Sequence, residues 1–159
     1  MEMIQQIARM FLQVGEKVLD MLEGDWDYPA FQLDLERVLN DFGKEICREV
    51  MESADAWLKA NPKERKGWVV ERKNDPKSVL TPFGQMHYER TYFQNKESRG
   101  YAHLVDLAAG HRPHARTDLT VKATLVDTAT ELSYRNTGKD VWSSGSPECF
   151  VSGQTVMNT

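Results

Sequence analysis

Residues 79–93 read VLTPFGQMHYERTYF, and this stretch decides the fold class. From Met86 to Phe93 the side chains at even-numbered positions form one set and those at odd-numbered positions form another. This alternation has the two-residue period of a β-strand. The Pro-Phe-Gly run at 82–84 predicts a turn just before this strand. Aromatic residues fall on both faces of the strand, so we expect either helices that cover the sheet or a surface used for contacts.

The strand pattern extends on both sides of this stretch. Residues 68–73 alternate in the same way, and the Asn-Asp-Pro-Lys-Ser run at 74–78 predicts a turn after them. A further turn is predicted at 95–100, followed by a last short strand at 101–105. Together these patterns predict a small, basic antiparallel β-meander within residues 63–110.

Residues 1–62 carry a helical pattern instead. Apolar residues in 3–22 recur at alternating spacings of three and four, which is the seam of a heptad repeat. A Gly-Asp-Trp-Asp-Tyr-Pro run at 24–29 interrupts the pattern, and a second apolar stripe continues from Phe31 to about Ala60. The stripes predict an antiparallel helical hairpin, or pairing with a second copy of the chain, and the pattern leaves both open. The first seam consists of Ile4, Ile7, Phe11, Val14, Val18 and Met21.

A third segment, residues 111–159, returns to the helical period. Thr117 or Asp118 can cap a first helix, a second helix is expected over 134–142, and Ser152 can cap a third. The chain ends inside the third helix, so we expect a helix-turn-helix-like unit that is cut short. The expected fold class is α+β, with an N-terminal helical hairpin, a small antiparallel β-meander and this tri-helical C-terminal segment.

Charge is distributed unevenly along the chain. The net charge is −4, but residues 1–62 carry −7, residues 63–100 carry +4 and residues 101–159 carry −1. An acidic helical arm followed by a basic middle is typical of a modular protein with one surface for polyanions. A solvated sheet with ordinary charge scatter gives the same distribution, so charge alone does not decide the function.

The composition argues against export and membrane insertion. Hydrophobic residues make up 40% of the chain and charged residues 28%, as in globular domains that have a core. The first twenty residues contain charged side chains and no uninterrupted apolar run, unlike an export signal or a membrane span. Cys47 and Cys149 form no Cys-x-x-Cys motif, so we expect two reduced thiols and a cytoplasmic location.

The C-terminal residues are the first candidates for DNA contacts. Ser152 and Thr155, at the start of the third helix, have the spacing of a recognition helix whose first turn meets phosphates, although helix capping explains them equally well. Gln154 and Asn158 lie one helical turn apart, and each amide can bind an adenine edge. Arg135 on the second helix can contact a phosphate or pair with an acidic residue one turn back.

A second candidate surface lies in the basic middle of the chain. Basic residues are interleaved there with aromatic side chains, a combination that can follow a nucleic-acid backbone. An exposed sheet face without such a role has the same composition, so this interpretation also stays open. The candidate residues are Lys66, Arg72, Lys73 and Arg90, with Lys77 beside them.

No reaction centre is predicted. His111 and His114 lie close together in a loop without a cysteine partner, and we expect ordinary loop histidines rather than metal ligands. Asp118 is better explained as a helix cap than as a carboxylate for two-metal chemistry. The sequence contains no phosphate-binding glycine loop, nucleophile elbow or His-Glu-x-x-His motif. We therefore expect no catalytic residue, cofactor, metal or small-molecule ligand.

Four segments, in order, resemble the transposases of ISLre-type insertion sequences, a family also catalogued as uncharacterised bacterial proteins. Residues 80–93 are similar to its L-T-x-F-G-x-V-x-x-x-R-x-Y-Y stretch, and residues 101–106 to its Y-x-x-L-L-D segment. The run Glu-Leu-Ser-Tyr-Arg at 131–135 resembles its E-L-S-Y-R element. The run Val-Ser-Gly-Gln-Thr-Val-Met-Asn at 151–158 resembles its V-S-x-Q-T-V-M-N recognition helix.

The resemblance implies the DNA-binding front end of a transposase, which recognises the ends of its element. In that family the chain continues into a carboxylate-metal catalytic core, so this chain is expected to be truncated and to have no activity of its own. Two other hypotheses are a protein-interaction module that dimerises through residues 4–21, and a remnant of a mobile element without a cellular role.

Overall fold

The fold is mixed: two long helices precede a small sheet along the chain, and two shorter helices follow it. The computed structural model describes residues 2–131 together with Gln154 and Met157. Its elements are α1 (Glu2–Glu23), α2 (Tyr28–Ala60), β1 (Trp68–Thr81), β2 (Gly84–Asn95), β3 (Tyr101–Ala102), α3 (Leu104–Ala108) and α4 (Leu119–Glu131). The strands form an antiparallel sheet in the order β1-β2-β3. The predicted α+β class is confirmed.

The first two helices pack on each other as an antiparallel hairpin, which is one of the two arrangements that the sequence pattern left open. Gln6 on α1 donates a hydrogen bond to the Glu45 carboxylate on α2. The predicted apolar seam of α1 is divided, because α2 covers only part of it. Its half-buried members are Ile7, Val14 and Met21, and its exposed members are Ile4, Phe11 and Val18.

Local chemistry fixes the ends of α2. The helix begins at Tyr28, inside the predicted break. Its proline lies in the first helical turn, where backbone N–H groups have no partner within the helix, so the N–H that proline lacks costs no hydrogen bond. The Asp27 carboxylate caps the helix by accepting a hydrogen bond of 3.1 Å from the N–H of Ala30. At the other end Asn61 caps the helix, which confirms that it ends at Ala60, where the second apolar stripe was predicted to end.

The turn predicted at 74–78 is wrong. The β1 strand continues through these residues to Thr81, with register shifts on both sides of Arg72. These bulges take up the irregular run, and Asn74 adopts a left-handed backbone with a φ of 56°. Pro76 is tolerated because β1 is an edge strand, where a missing N–H breaks no ladder bond if it faces outward.

The last predicted strand is shorter than expected. β3 ends after Ala102, having paired only with Phe93 and Gln94, and the chain turns into α3 at Leu104. The prediction of a strand over 101–105 is therefore wrong for its second half, because Val105 is buried as part of a helical turn. The turns predicted at 82–84 and 95–100 are confirmed.

The α2 helix protects the edge of β2 that β3 leaves open. The Glu52 carboxylate accepts a hydrogen bond of 3.1 Å from the N–H of Glu89. The Asp55 carboxylate accepts two from Thr91, one of 2.9 Å from its N–H and one of 2.7 Å from its hydroxyl. Asp55 is 2% exposed and also pairs with Lys59. Two carboxylates thus replace the missing strand, which protects an edge that could otherwise pair with another chain.

The core has two parts, one under the sheet and one at α4. Beside the sheet, Cys47 and Met51 of α2 pack against a buried cluster that consists of Val79, Met86 and Tyr88. At the other end Val121 and Leu125 of α4 are buried. Their helix is capped by Asp118, as predicted, through a bond of 2.7 Å from the N–H of Val121.

Two further helices were predicted beyond α4. The second helix, at 134–142, and most of the third lie outside the described residues. Gln154 and Met157 are helical and exposed. Within the described part of the chain, no helix has both the length and the hydropathy that crossing a membrane requires.

Candidate functional site

A buried network of ionic and polar side chains joins the sheet to α3. Its centre is Asp106, whose carboxylate accepts a hydrogen bond of 2.7 Å from the Tyr88 hydroxyl and one of 3.3 Å from Lys77 Nζ. Arg90 also donates to this carboxylate through one of its terminal nitrogens. The side chains of Lys77 and Asp106 are 5% and 6% exposed. Buried charges of this kind are found where they are paired, and here two cations share one carboxylate.

Asp75 extends the network towards the surface. Nε2 of His103 lies 2.7 Å from its carboxylate, and because a carboxylate only accepts, the imidazole donates through this nitrogen. Arg72 donates to Asp75 at 2.6 Å, and Arg90 lies 3.9 Å from it. Arg90 therefore links both carboxylates. We call these two aspartates and the side chains bound to them the Asp106 network.

Strand register explains why these residues meet. Lys77 is opposite Tyr88 across the β1–β2 ladder, and Asp75 is opposite Arg90. Residues that are directly opposite and two apart lie on one face of a sheet, so all four share a face. The short helix α3 then brings Asp106 onto that face.

Burial changes the titration of the two histidines in this region. Desolvation lowers the pKa of His103 and that of His111 below the ordinary value, so both are neutral near pH 7. Burial and the nearby Asp106 carboxylate raise the pKa of Tyr88, whose hydroxyl therefore keeps its proton. Since that proton goes to Asp106, the Tyr88 oxygen accepts from Nδ1 of His111, 3.3 Å away.

The pKa of Asp75 is lowered, which favours the charged carboxylate. Burial on its own would raise it, but the hydrogen bond from His103 and the charges of Arg72 and Arg90 outweigh burial and lower the pKa. Asp75 is therefore ionised throughout the neutral range and holds the cations beside it in place.

A cleft of about 870 Å³ lies over the Asp106 network, and we call it the sheet cleft. One wall is the sheet face with Arg90 and the aromatic rings of Tyr92 and Tyr101. The other wall is a segment that we call the basic loop, residues 111–117. The basic loop is tied to β1 because the N–H of Leu80 donates to its backbone at 2.7 Å.

The rim of the sheet cleft combines flat rings with cations. Tyr92 and Tyr101 are stacked, with ring centroids 5.3 Å apart and an angle of 11° between the planes. His103 lies against the Tyr92 ring at 4.8 Å. Across the sheet cleft, His114 and Arg116 are exposed. Within residues 2–131, the guanidinium of Arg116 has no ion pair. Such a surface can hold a planar group and a negative charge together.

The candidate residues of the basic middle occupy different environments. Lys66 and Lys73 are exposed. Arg72 is also exposed, but it is bound to Asp75 and lies 5.4 Å from the ring centre of Tyr92. Arg90 is mostly buried within the Asp106 network.

The candidates of the C-terminal helices lie largely beyond the described part of the chain. This holds for Arg135, Ser152, Thr155 and Asn158. Gln154 is the exception, and it is helical and exposed. Their proposed contacts with DNA therefore stay predictions.

Sequence reasoning missed the Asp106 network and the sheet cleft. No local pattern marks Asp106 as the centre of such a network, because the residues that bind it are as many as 29 positions away along the chain. Lys77 gave no signal of its buried partner, because it falls in the run that was predicted as a turn, where an exposed lysine is ordinary. Among the described residues, no three His, Cys, Asp or Glu side chains form a metal-binding group.

Comparison with known proteins places the chain in a family. The profile of an uncharacterised protein family, UPF0236, matches residues 30–159. UPF0236 protein TTE2489 of Caldanaerobacter subterraneus subsp. tengcongensis is 34% identical over 155 residues, which are 98% of this chain and 32% of that protein. UPF0236 protein TTE0610/TTE0881/TTE1053/TTE2432 of the same organism is 32% identical over 155 residues, again 98% of this chain and 32% of that protein.

A third relative, also from that organism, has a printed name that joins eleven designations, from TTE0033 to TTE2212. It is 32% identical over 139 residues, which are 87% of this chain and 28% of that protein. The chain thus spans about a third of the length of these relatives. No solved structure matches it. Because the family profile covers most of its residues, the chain belongs to the uncharacterised protein family UPF0236.

Proposed function

We propose that this chain is the DNA-binding N-terminal portion of a transposase and recognises the ends of a mobile element in the cytoplasm. The observation that carries the proposal is the ordered set of four segments that resemble ISLre-type transposases, ending in a segment similar to a recognition helix. Gln154, the residue of that segment proposed to read a base, is helical and exposed, as such a role requires.

The relatives support the proposal in two ways. One relative's name joins eleven designations within a single organism, and another's joins four. A name of this form is expected for a sequence that is present in several copies per genome, and transposition produces such copies. The relatives are also about three times as long as this chain, which leaves room for a catalytic core in the part of them that this chain does not cover. The strand-transfer chemistry is accordingly proposed to lie outside these 159 residues.

The test is a binding measurement on duplex DNA. The chain is continued past Thr159 with the sequence of a full-length relative, and its affinity for element-end duplexes is compared with that for shuffled duplexes. Gln154→Ala is expected to weaken the preference for the cognate base, since a bidentate contact contributes about 1–3 kcal/mol of discrimination. Lys73→Ala is expected to weaken binding to all duplexes alike and to flatten the dependence on salt.

Arg9→Ala is the matched control, because Arg9 is an exposed cation on the acidic helical arm. It should leave both affinity and preference unchanged. Equal affinity for element ends and shuffled duplexes in the continued chain would remove the proposal.

A second candidate function is dimerisation through α1. The observation that favours it is the exposed half of the heptad seam, where Phe11 is 69% exposed although it lies in line with half-buried residues. A second copy that pairs along this half would cover it, as coiled-coil seams do. Sedimentation at micromolar concentration tests the idea: the chain should be a dimer, Phe11→Glu a monomer, and the exposed polar position Gln13→Glu a dimer. A monomeric parent chain would contradict it.

A further inference from the structure

We propose that the sheet cleft binds an unpaired nucleotide of single-stranded DNA, with the base stacked on Tyr101 and the phosphate held by Arg116 from the basic loop. This is a second site, separate from the C-terminal helix. It rests on the proposed function only for the choice of DNA as the polymer.

The size of the sheet cleft suits a nucleotide. Its volume of about 870 Å³ falls within the range of roughly 300–1,000 Å³ that is usual for sites that enclose small organic groups. The cleft is bounded by the sheet face on one side and the basic loop on the other, so a ligand can be gripped from two sides. A short stretch of single strand can enter such a cleft, whereas a duplex is too wide to place its bases there.

The aromatic wall supplies the surface for the base. Tyr101 is stacked on Tyr92 on one side and is 49% exposed. Its hydroxyl accepts a hydrogen bond of 2.8 Å from Nε2 of Gln94, so the ring is held in place before any ligand arrives. A fixed, half-exposed ring is a platform on which any base can stack, and this selects bases that are not already stacked within a duplex.

The opposite wall supplies the charge for the phosphate. Arg116 is exposed and has no ion pair within the described part of the chain, so its guanidinium is available to an anion. The neighbouring His114 is exposed as well, and its φ of 62° shows that the loop bends sharply there. A hydrogen bond of 2.7 Å from Leu80 to the Arg116 carbonyl fixes the backbone of this wall to the sheet.

The sheet-face wall of the sheet cleft has a donor without an acceptor within the described part of the chain. Nε of Arg90 is buried and has no acceptor among the residues that the structure describes, although the terminal nitrogens of the same side chain bind Asp75 and Asp106. A buried donor without an acceptor is costly and is often explained by a bound group. A phosphate oxygen, or a water that it orders, would supply the acceptor.

The alternatives fit less well. An acidic peptide would use Arg116 but would gain little from the Tyr92–Tyr101 stack, because a carboxylate side chain has no flat face of comparable size. A duplex would be held by exposed cations such as Lys66 and Lys73 without entering the sheet cleft. The stacked rings, together with an arginine across the sheet cleft that has no ion pair within residues 2–131, therefore point to a single strand.

The experiment uses the full 159-residue chain and a fluorescein-labelled oligothymidylate, a duplex of equal length and a polyglutamate peptide. Anisotropy titrations at fixed salt measure each affinity. We expect the chain to prefer the single strand. Tyr101→Ala should weaken single-strand binding by about 5- to 150-fold, which corresponds to the loss of one stacked base, while Tyr101→Trp should retain it. Arg116→Ala should weaken binding and lower the salt slope by about one.

Tyr28→Ala and Arg9→Ala are the controls, since each removes an exposed ring or cation from the helical hairpin, and neither should change single-strand binding. Tyr101→Trp also controls for misfolding, because it changes the same position but keeps an aromatic ring there, so the folded variant must still bind the single strand. The proposal is overturned if Tyr101→Ala binds the single strand as well as the parent chain does. It is also overturned if polyglutamate competes as strongly as the oligonucleotide, or if Tyr101→Ala weakens duplex binding equally.

This outcome is separate from that of the proposed function. If the continued chain shows no preference for element ends while single-strand binding still depends on Tyr101, the transposase proposal is removed and the proposal for the sheet cleft stands. If the preference for element ends depends on Gln154 and Tyr101→Ala has no effect on single-strand binding, the transposase proposal stands and the proposal for the sheet cleft is removed.

Discussion

At the scale of the residue, Asp106 combines several roles in one carboxylate. It holds the buried ammonium of Lys77, the guanidinium of Arg90 and the hydroxyl of Tyr88. Each of these groups comes from a strand, while Asp106 comes from α3, so the carboxylate adds an electrostatic contact between helix and sheet to the burial of Val105. The adjoining cleft wall takes its shape from this contact.

Removal of the Asp106 charge should destabilise the fold strongly. In Asp106→Asn the buried cations of Lys77 and Arg90 lose their shared partner, and leaving a buried charge without its partner costs about 3–5 kcal/mol. Urea unfolding followed by circular dichroism measures the change. Asp25→Asn is the control because Asp25 is exposed, and it should change stability by about 0.5 kcal/mol or less. A second change, Lys77→Met, should recover part of the loss, and no recovery would show that charge is not the cause.

The buried His111 should make the chain less stable in mild acid. Burial lowers its pKa in the folded state, whereas the unfolded chain has the ordinary value of about 6.5. Below pH 6.5 the unfolded state therefore binds more protons, so the free energy of unfolding falls as the pH falls and is greatest above that value.

His111→Gln should flatten this dependence between pH 7 and pH 5, and His87→Gln, at an exposed position, is the matched control. The measurement is the thermal midpoint as a function of pH. A slope that is unchanged in His111→Gln would show that other groups, such as His103, cause it.

At the scale of the element, α2 has two functions in the fold. Its N-terminal half pairs with α1, and its C-terminal half lies along β2, where Glu52 and Asp55 bind strand N–H groups. The helix therefore both completes the hairpin and closes the sheet on one side. Its length of 33 residues follows from having to reach both.

Two contacts protect this edge of β2, and the contact of Asp55 with Thr91 should contribute more to the free energy of unfolding than the contact of Glu52 with Glu89. Asp55→Ala leaves the buried N–H and hydroxyl of Thr91 without an acceptor, and each such group costs about 1–3 kcal/mol. We expect faster amide hydrogen exchange at Thr91 together with a lower unfolding free energy. Glu52→Ala is the matched control, because the N–H that it binds, that of Glu89, is exposed and can turn to water. Equal effects of both changes would contradict this explanation.

The long helices were predictable because their apolar residues repeat over many turns, and their ends carry local signals such as Asp27 and Asn61. The continuation of β1 through residues 74–78 was not predictable, because Asn, Asp and Pro are favoured in turns and are also tolerated in a β-bulge. Tertiary pairing with β2 decides between the two.

The same limit applies to the candidate site. Basic composition alone identified Arg90 as a candidate phosphate contact, but its partners Asp75 and Asp106 depend on strand register and on the position of α3. Arg116 gave no periodic or spacing signal at all. It becomes a candidate only when the basic loop folds back against β1.

At the scale of the whole molecule, the chain divides into an acidic arm and a basic sheet. The hairpin of α1 and α2 carries most of the negative charge, and the sheet with its loops carries the positive charge. A polyanion approaching the chain is therefore directed towards the sheet side, and this orienting effect weakens as salt screens it. The exposed half of the α1 seam lies on the acidic arm, where we propose that a second copy of the chain pairs.

The outer edge of β1 is the remaining open edge of the described sheet, and Pro76 lies on it. The N–H of Leu80 points outward to the basic loop, so positions 78 and 76 face the same way by the two-residue period. Pro76→Val would restore an outward N–H there. We expect faster growth of light scattering on heating than in the parent chain, with Pro62→Val as a control away from the sheet. No difference between the two changes would contradict the role of Pro76.

The bulges around Arg72 have a consequence for the behaviour of the chain at high concentration. Fibril growth needs a straight run of backbone to which an identical run can be added, copy upon copy. β1 offers no such run, because its edge is kinked on both sides of Arg72, has no donor at Pro76 and is occupied at Leu80. The outer edge of β1 is therefore a poor template for the addition of identical strands.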